Sequence, residues 1–507
     1  MKTLNCNNEI SKLEDALEQL TATVNDFEFE KIQYHAAIKC ALKRQNIKKN
    51  IRLLGNIILS KLGRIPYCSI DEYRKDLKIR QNIQEIRNQL AFLECARLIM
   101  MSNELENQAQ EDEEEVIQEA QENINTEAFK NGYIAIIVNS LDRGGLEQVV
   151  GLLAQGFVER NIPVKVICLD DGGLMADQLH AKGIEVLTFH GKGYLFRRYI
   201  KKNPPILVNT HYVKKHIKFL YKNKIPIIEV IHNMYVYYCN HVVKIEQKNE
   251  RYFTKLIAVS EIVKDTYCSR IKQSDKIEVI GNAAILREQP KKNRLEVRQT
   301  LGIPQNAYVI LNVGSIDPRK NQIGIITAFD IVSKLSEIPI YLVFAGNIQD
   351  EKYNIKMQKA ISESAQKEHI IWLPYYERVR ELYLMADVFV LDSYYEGWSI
   401  AATEALYEGL PIIHSMCGSA LELTNGGRYG YVIPNPAGEL EKISNSSMAQ
   451  IIERGEYINT KELVNVLQNM IKNNLYWEKK RTAIAQECQI KFSIQGMLQK
   501  YLEIIIK

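Results

Sequence analysis

From Tyr133 onward the chain repeats one unit: a short apolar run, a polar loop, then a stretch with apolar residues at helical spacing. Tyr133 to Asn139 is such a run, and Ser140-Leu-Asp-Arg-Gly-Gly145 is its loop. Leu146, Val149, Val150, Leu153 and Phe157 then mark one helix face, and Val164 to Leu169 is the next run. Strands apolar on both faces need cover on both faces, which helical crossovers between parallel strands supply. The unit recurs to about residue 285 and restarts at Tyr308 to Val313. It continues through Ile340 to Phe344, Ile370 to Leu373, Val388 to Leu391 and Ile412 to His414. The expected fold class is α/β, with two doubly wound domains facing a cleft.

Residues 1–130 follow another rule. They hold almost no glycine or proline. Ile10, Leu13, Leu17, Leu20, Val24 and Phe27 alternate steps of three and four, as do Ile79, Ile83, Ile86, Leu90, Leu93 and Met100, with Arg97 breaking the second set. Ser11 with Glu14, and Ser69 with Glu72, have capping-box spacing. A helical hairpin or coiled-coil-like extension is expected, followed by an acidic stretch over 104–127. Single helices of this length are marginal in water, so the stripes need a partner: each other, a second copy of the chain, or a membrane.

Composition narrows the classes. The chain has 507 residues, 46% hydrophobic and 25% charged, with net charge +4. A near-neutral balance gives no support to nucleic-acid binding. The nine cysteines are dispersed with no Cys-x-x-Cys pair, which points to a reducing, cytoplasmic setting without disulfides or a zinc site. No apolar run approaches the ~20 residues of a membrane span. Two basic clusters keep peripheral placement at the inner face of an anionic membrane open. One is Lys43, Arg44, Lys48, Lys49 and Arg52. The other is Arg197, Arg198, Lys201, Lys202, Lys214, Lys215, Lys218, Lys222 and Lys224. A solvated helix face is the plainer reading of both.

The stretch from Asp387 to Pro411 carries the most chemistry. An apolar strand ends in a loop with Glu396 and Gly397; a helix follows with Glu404 on its second turn; Gly409 and Pro411 end it. In open α/β sheets ligands bind at the carboxyl ends of strands. Amides at a helix N-terminus suit phosphate, and carboxylates accept strong hydrogen bonds from hydroxyls. Diphosphate plus hydroxyls describes a nucleotide-sugar. No Gly-x-Gly-x-x-Gly fingerprint supports a dinucleotide, and no Gly-x-Ser-x-Gly elbow supports a serine hydrolase. The reading calls for no cofactor and no metal, only the donor as substrate.

Glu396 and Glu404 at Glu-x7-Glu spacing, with Glu-Ala before Gly-Leu-Pro, resemble the signature of family 4 glycosyltransferases, retaining enzymes of the GT-B fold. Further stretches share the resemblance, which covers about residues 133–500. Asp142-Arg-Gly144-Gly145-Leu-Glu147 resembles the family's Gly-Gly-x-Glu loop against the donor phosphates; alone, a Gly-Gly pair is a tight turn. Val313-Gly314-Ser-Ile-Asp-Pro-Arg319-Lys320 resembles the Gly-Arg…Lys-Gly motif, with Ser315 where an arginine is common. His232 matches a histidine that contacts the transferred sugar, and His211 a more variable one. Val259-Ser260-Glu261, the Ile277–Asn282 stretch and Glu422 match further family positions.

The resemblance implies roles. Glu396 holds hydroxyls of the donor sugar and Glu404 those of the ribose. Gly397, Trp398 and Ser399 offer amides to the diphosphate, with Gly144, Gly145 and Gly314 beside it. Arg319 and Lys320 stabilise the leaving group, and His232 meets the sugar. The expected domains are 1–130 as the helical extension, 131–290 as the acceptor-side domain, 291–475 as the donor domain and 476–507 as a crossover helix. The expected function is metal-independent, retaining transfer of a hexosyl or related unit from a nucleoside diphosphate sugar to a glycan, lipid-linked or protein-linked acceptor, in cell-surface polysaccharide or glycoconjugate synthesis. The alternative is a helical adaptor fused to a glycosyltransferase-like binding module with little catalysis. A homo-oligomer through residues 1–130 is a further partner the stripes allow.

Overall fold

A computed structural model of the chain describes residues 129, 132–142, 144–271, 275–284, 289–440 and 443–506. The helical extension expected over 1–130 therefore lies almost wholly outside the described residues. So do Lys43, Arg44, Lys48, Lys49 and Arg52.

Residues 123–507 form one compact unit containing two parallel sheets. The first has seven strands: β1 (Ile134–Val138), β2 (Val164–Cys168), β3 (Glu185–Thr188), β4 (Leu207–His211), β5 (Ile227–Ile231), β6 (Lys255–Ala258) and β7 (Ile277–Val279), in the order β3-β2-β1-β4-β5-β6-β7. The second has six: β8 (Tyr308–Val313), β9 (Ile340–Ala345), β10 (Ile370–Leu373), β11 (Val388–Leu391), β12 (Ile412–Ser415) and β13 (Gly430–Ile433), in the order β10-β9-β8-β11-β12-β13. Every residue of β1, β4, β5 and β11 is buried, as the apolar runs of β1 and β11 required, and β4 and β5 also bury Asn209, Thr210, His211 and Glu229. The edge strands β3 and β10 are only partly covered.

Strand order reverses between β1 and β4, and again between β8 and β11. Such a reversal splays the following loops apart and leaves a crevice at the carboxyl ends of the strands. The loops after β1, β4, β8 and β11 hold most of the residues picked out from the sequence.

The second sheet is anchored by Asp387, which opens the most informative stretch. Its carboxylate accepts from Val309 N at 2.7 Å, from Arg294 at 2.5 Å and from the fully buried Arg298 at 2.8 Å. Arg298 also donates to the carbonyls of Met385, Gln305 and Ala307, so all three nitrogens of its buried guanidinium are hydrogen-bonded.

The expected crossover helix over 476–507 is two helices. The first, Asn474–Lys491, packs on the second sheet's helix Ile400–Tyr407; the second is Ile494–Ile506. Between them Ser493 Oγ accepts from Gly496 N at 3.1 Å and starts the new helix. That last helix returns to the first lobe, where Leu498 seats over Gly156. A side chain at Gly156 would overlap it.

Candidate active site

The second lobe supplies the charged groups. β8 runs into a 3₁₀ turn, Pro318–Lys320, capped by Asp317, whose side chain accepts from Arg319 N at 2.8 Å. Asn321 follows with a left-handed φ of 50°, a conformation asparagine tolerates. Its amide donates to Asp392 at the end of β11 (2.7 Å), and Tyr394 N donates to Arg319 O (2.8 Å). The two loops are thus pinned together. Burial pushes Asp392 up to about 7, against the stabilising amides of Asn459 and Asn321.

This pinning brings Lys320 Nζ to 2.5 Å from Glu396 Oε1. The same oxygen accepts from Ser393 Oγ at 2.9 Å. Both side chains are mostly buried, at 16% and 14% exposure. Burial raises the Glu396 pKa, but Lys320, Arg319 and Ser393 outweigh it and hold the carboxyl below its ordinary value. The Lys320 stem lies over Gly314.

The Arg319 guanidinium clasps both oxygens of Asp317 (3.0 and 2.8 Å) and lies 5.9 Å from the Tyr395 ring centre. Lys320 touches Glu396 directly, whereas Arg319 is ion-paired to Asp317 within its own turn and acts on Glu396 only at longer range. A cavity of about 540 Å³ adjoins that turn, lined by Arg319, Tyr353, Tyr395, Met448 and Ile452 among others. Neither Lys320 nor Glu396 lines it.

Glu404 is buried, and its Oε2 accepts from Tyr383 Oη at 2.8 Å. Ser399 is the N-cap of helix Ile400–Tyr407, accepting from Ala402 N, while its own N–H donates to Ser419 Oγ at 3.2 Å. The Ser399 amide, expected for a diphosphate, is already taken. Trp398 is a wedge between lobes: its Nε1 donates to Thr403 Oγ1 at 2.9 Å, and its ring covers Gly281 and meets Phe492 edge-on.

The first lobe closes over this floor with backbone groups, two imidazoles and the Glu147 carboxyl. Gly397 lies so close to the carbonyl oxygen of His232 that no Cβ could stand there. Gly418, at φ +48°, also leaves no room for a Cβ beside the carbonyls of Gly397 and Glu396, and its N–H donates to Met234 Sδ at 3.4 Å. Gly145 faces Ile400 at the start of the Glu404 helix, while Glu147 folds back over Gly144. Glu422 Oε1 accepts from Glu261 N at 2.7 Å, tying the lobes once more. His211 and His232 stack at 4.9 Å, with Nδ1 of His211 2.7 Å from Nε2 of His232. Burial brings His232 down to about 3, and burial together with His232 lowers His211.

Sequence reasoning missed Ser393, Tyr383, Asp392, Asn321 and Asn459. Ser393 and Asp392 stood inside the quoted stretch, but their partners are set by loops distant in sequence.

The expectations from resemblance can be tested against known proteins. The model described as Glycosyltransferase Family 4 matches residues 143–286, and that described as Glycosyl transferases group 1 matches 293–461, together more than half of the chain. The chain belongs to the family 4 glycosyltransferases. This family 4 protein is 24% identical to a glycosyltransferase of Methanocaldococcus jannaschii over 42% of this chain and 57% of that protein. It is 29% identical to the UDP-Gal:alpha-D-GlcNAc-diphosphoundecaprenol alpha-1,3-galactosyltransferase of Escherichia coli over 28% of this chain and 36% of that one. With spore coat protein SA of Bacillus subtilis it shares 25% identity over 45% and 65%. It thus spans from about a third to two thirds of these relatives. Anabaena Alr3699/HepE, solved with UDP and glucose, shares the fold with a TM-score of 0.61 at 16% identity, covering 74% of this chain and all of that one. The GT-B architecture is therefore that of this chain as well.

Proposed function

We propose that this family 4 protein is a retaining glycosyltransferase that moves a sugar from a nucleoside diphosphate donor to a hydroxyl acceptor in surface polysaccharide or glycoconjugate assembly. The observation that carries the reading is the Lys320–Glu396 pair at the carboxyl edge of the second sheet, roofed by the His232 backbone. The lowered Glu396 carboxyl is ionised at neutral pH and accepts hydroxyls of the donor sugar. Lys320 stabilises negative charge as it develops on the leaving diphosphate, from a mostly buried position where such charge counts most. Glu404 takes the ribose hydroxyls.

The bond from the sugar's anomeric carbon to the diphosphate oxygen breaks. The acceptor oxygen bonds to that carbon on the same face, and its proton passes to the departing phosphate. No protein base is called for. The positive charge of Lys320 lets the reaction proceed without a metal. Curated relatives named for teichuronic acid and O-antigen biosynthesis support the assignment to surface polymers.

Among the described residues no helix is long and apolar enough to cross a membrane. Exposed Arg197, Arg198, Lys201, Lys202, Lys218 and Lys222 support contact with an anionic membrane face. Lys214 leaves that group: it is tied to Glu246 at 2.6 Å and Glu229 at 3.4 Å. Residues 1–130 are assigned to assembly or placement rather than chemistry.

A thermal-shift screen of the full chain against nucleoside diphosphates tests the reading, with UDP first because HepE was solved with it. A ligand at a hundredfold excess over its Kd adds about 2.7 kcal/mol to stability. A melting temperature that no nucleoside diphosphate raises would sink the proposal.

A further inference from the structure

We infer that Asn209 and His211 are positioning residues that lock His232 as a neutral imidazole, with its proton on Nε2 and its Nδ1 bare. Four groups in series carry the argument. The Ile228 carbonyl can only accept, and Asn209 Nδ2 donates to it at 3.2 Å. That contact orients the Asn209 amide, so its oxygen is what faces His211 Nε2 at 2.9 Å. An amide oxygen only accepts, so His211 Nε2 carries a hydrogen. His211 is 1% exposed, and the group nearest its other nitrogen is the second imidazole. As a neutral ring it has a bare Nδ1, so at 2.7 Å His232 Nε2 must be the donor. One proton per ring then leaves His232 Nδ1 as a lone pair.

Parallel register builds the series. Asn209 pairs with Ile228, and His211 pairs with Val230, two residues before His232. The Asn-x-His spacing at the end of β4 puts both side chains on one face, and β5 brings His232 alongside. Among the described residues His232 Nδ1 has no hydrogen-bond partner, and the rings beside it are Tyr212 at 5.5 Å and His211 at 4.9 Å. Among the described residues no carboxylate contributes to the shift of either ring, and burial keeps both uncharged.

The consequence for binding rests on the glycosyl-transfer reading; the tautomer itself does not. A bare ring nitrogen accepts a hydrogen bond from a sugar hydroxyl and gives no positive charge to a phosphate. The two lobes therefore divide the donor: hydroxyl recognition by a neutral acceptor above, diphosphate charge met by Lys320 below.

The test is nitrogen-15 NMR of the full chain with labelled histidine, His232 being assigned by its loss in His232→Gln. The expected result is a single Nε2–H tautomer for His232, unchanged from pH 8 to pH 5. In His211→Phe, which keeps a stacked ring and removes the acceptor, His232 should show both tautomers. Where that variant fails to fold, Asn209→Ala frees the His211 tautomer and should split the His232 signals likewise. An Nδ1–H or doubly protonated His232 in the wild type, or a His232 tautomer indifferent to the folded variant, would overturn the inference. Adding UDP and other nucleoside diphosphates to the same sample keeps the readings apart: a failure to bind any of them counts against glycosyl transfer and leaves the tautomer result standing.

Discussion

The two lobes share one strand order and differ in what their switch-point loops present. The first offers a Gly-Gly turn and two neutral, stacked imidazoles. The second offers an ammonium and a carboxylate 2.5 Å apart, flanked by Ser393 and an asparagine–aspartate clamp. Topology determines where a ligand can sit, since both crevices lie at the carboxyl ends of reversed strands. Loop residues determine the chemistry. In this chain the close Lys320–Glu396 ion pair stands on one side of the cleft, and under the proposed function donor activation would fall to residues 291–475 with sugar recognition shared with 131–290.

The largest expected effect is on that charged side. Glu396→Gln and Lys320→Met should each keep the fold and lower turnover by roughly 10²–10³, the usual loss when one preorganised electrostatic contact is removed. The two losses should not add, because each residue is the other's partner. Circular dichroism and transfer assays on the single and double variants check this. Near wild-type turnover in Glu396→Gln would break the division between lobes.

Next comes Glu404→Gln. Losing a charge-assisted hydrogen bond costs ~1.5–3 kcal/mol, so nucleoside diphosphate affinity should fall roughly tenfold to a hundredfold with Tyr383 still seated. Unchanged affinity by titration calorimetry would remove Glu404 from the ribose.

Why these two glutamates were legible and their partners were not is a matter of range. Glu396 and Glu404 are fixed by local grammar: strand, loop, helix, glycine stop. The fold was legible for the same reason, since fully buried strands read as continuous apolar runs. The weaker runs at β3 and β13 were not separately read, because β3 is partly exposed and β13 opens on Gly430. The Lys320–Glu396 contact spans 76 residues of sequence, and Asn459 to Asp392 spans 67, so no local pattern records them. The separate placement of Arg319 was not legible because a basic pair reads as one unit, whereas the Asp317 carboxylate pairs with the first of the two. The helix break at Phe492–Ser493 was hidden because serine is tolerated inside helices as well as at their starts.

A smaller effect separates the lobes by pH. His232 binds a proton less readily folded than unfolded, so acid favours the unfolded chain. Its contribution to stability is full above about pH 6.5 and is lost as pH falls toward about 3. The loss approaches about 1.4 kcal/mol per pH unit for one imidazole. Glu396 has the opposite kind of group with the same sign: its contribution is full above its ordinary value of 4.5 and is lost as pH falls through its lowered folded pKa. Urea unfolding at pH 7.5, 6 and 5 should show a slope that His232→Gln reduces and Glu396→Gln leaves alone. Equal slopes in wild type and His232→Gln would contradict a neutral His232.

The smallest expected effect is none. Turnover should survive dialysis against EDTA, because Lys320 supplies the cation. Activity abolished by chelation and restored by manganese or magnesium would move the leaving-group role off the protein.

The central claim is that Lys320 faces the donor diphosphate, and calorimetric titration of a nucleoside and its diphosphate into wild type and Lys320→Met tests it most directly. The wild type should prefer the diphosphate strongly, and Lys320→Met should lose about tenfold of that preference while binding the nucleoside as before. A preference unchanged by the substitution would contradict the account.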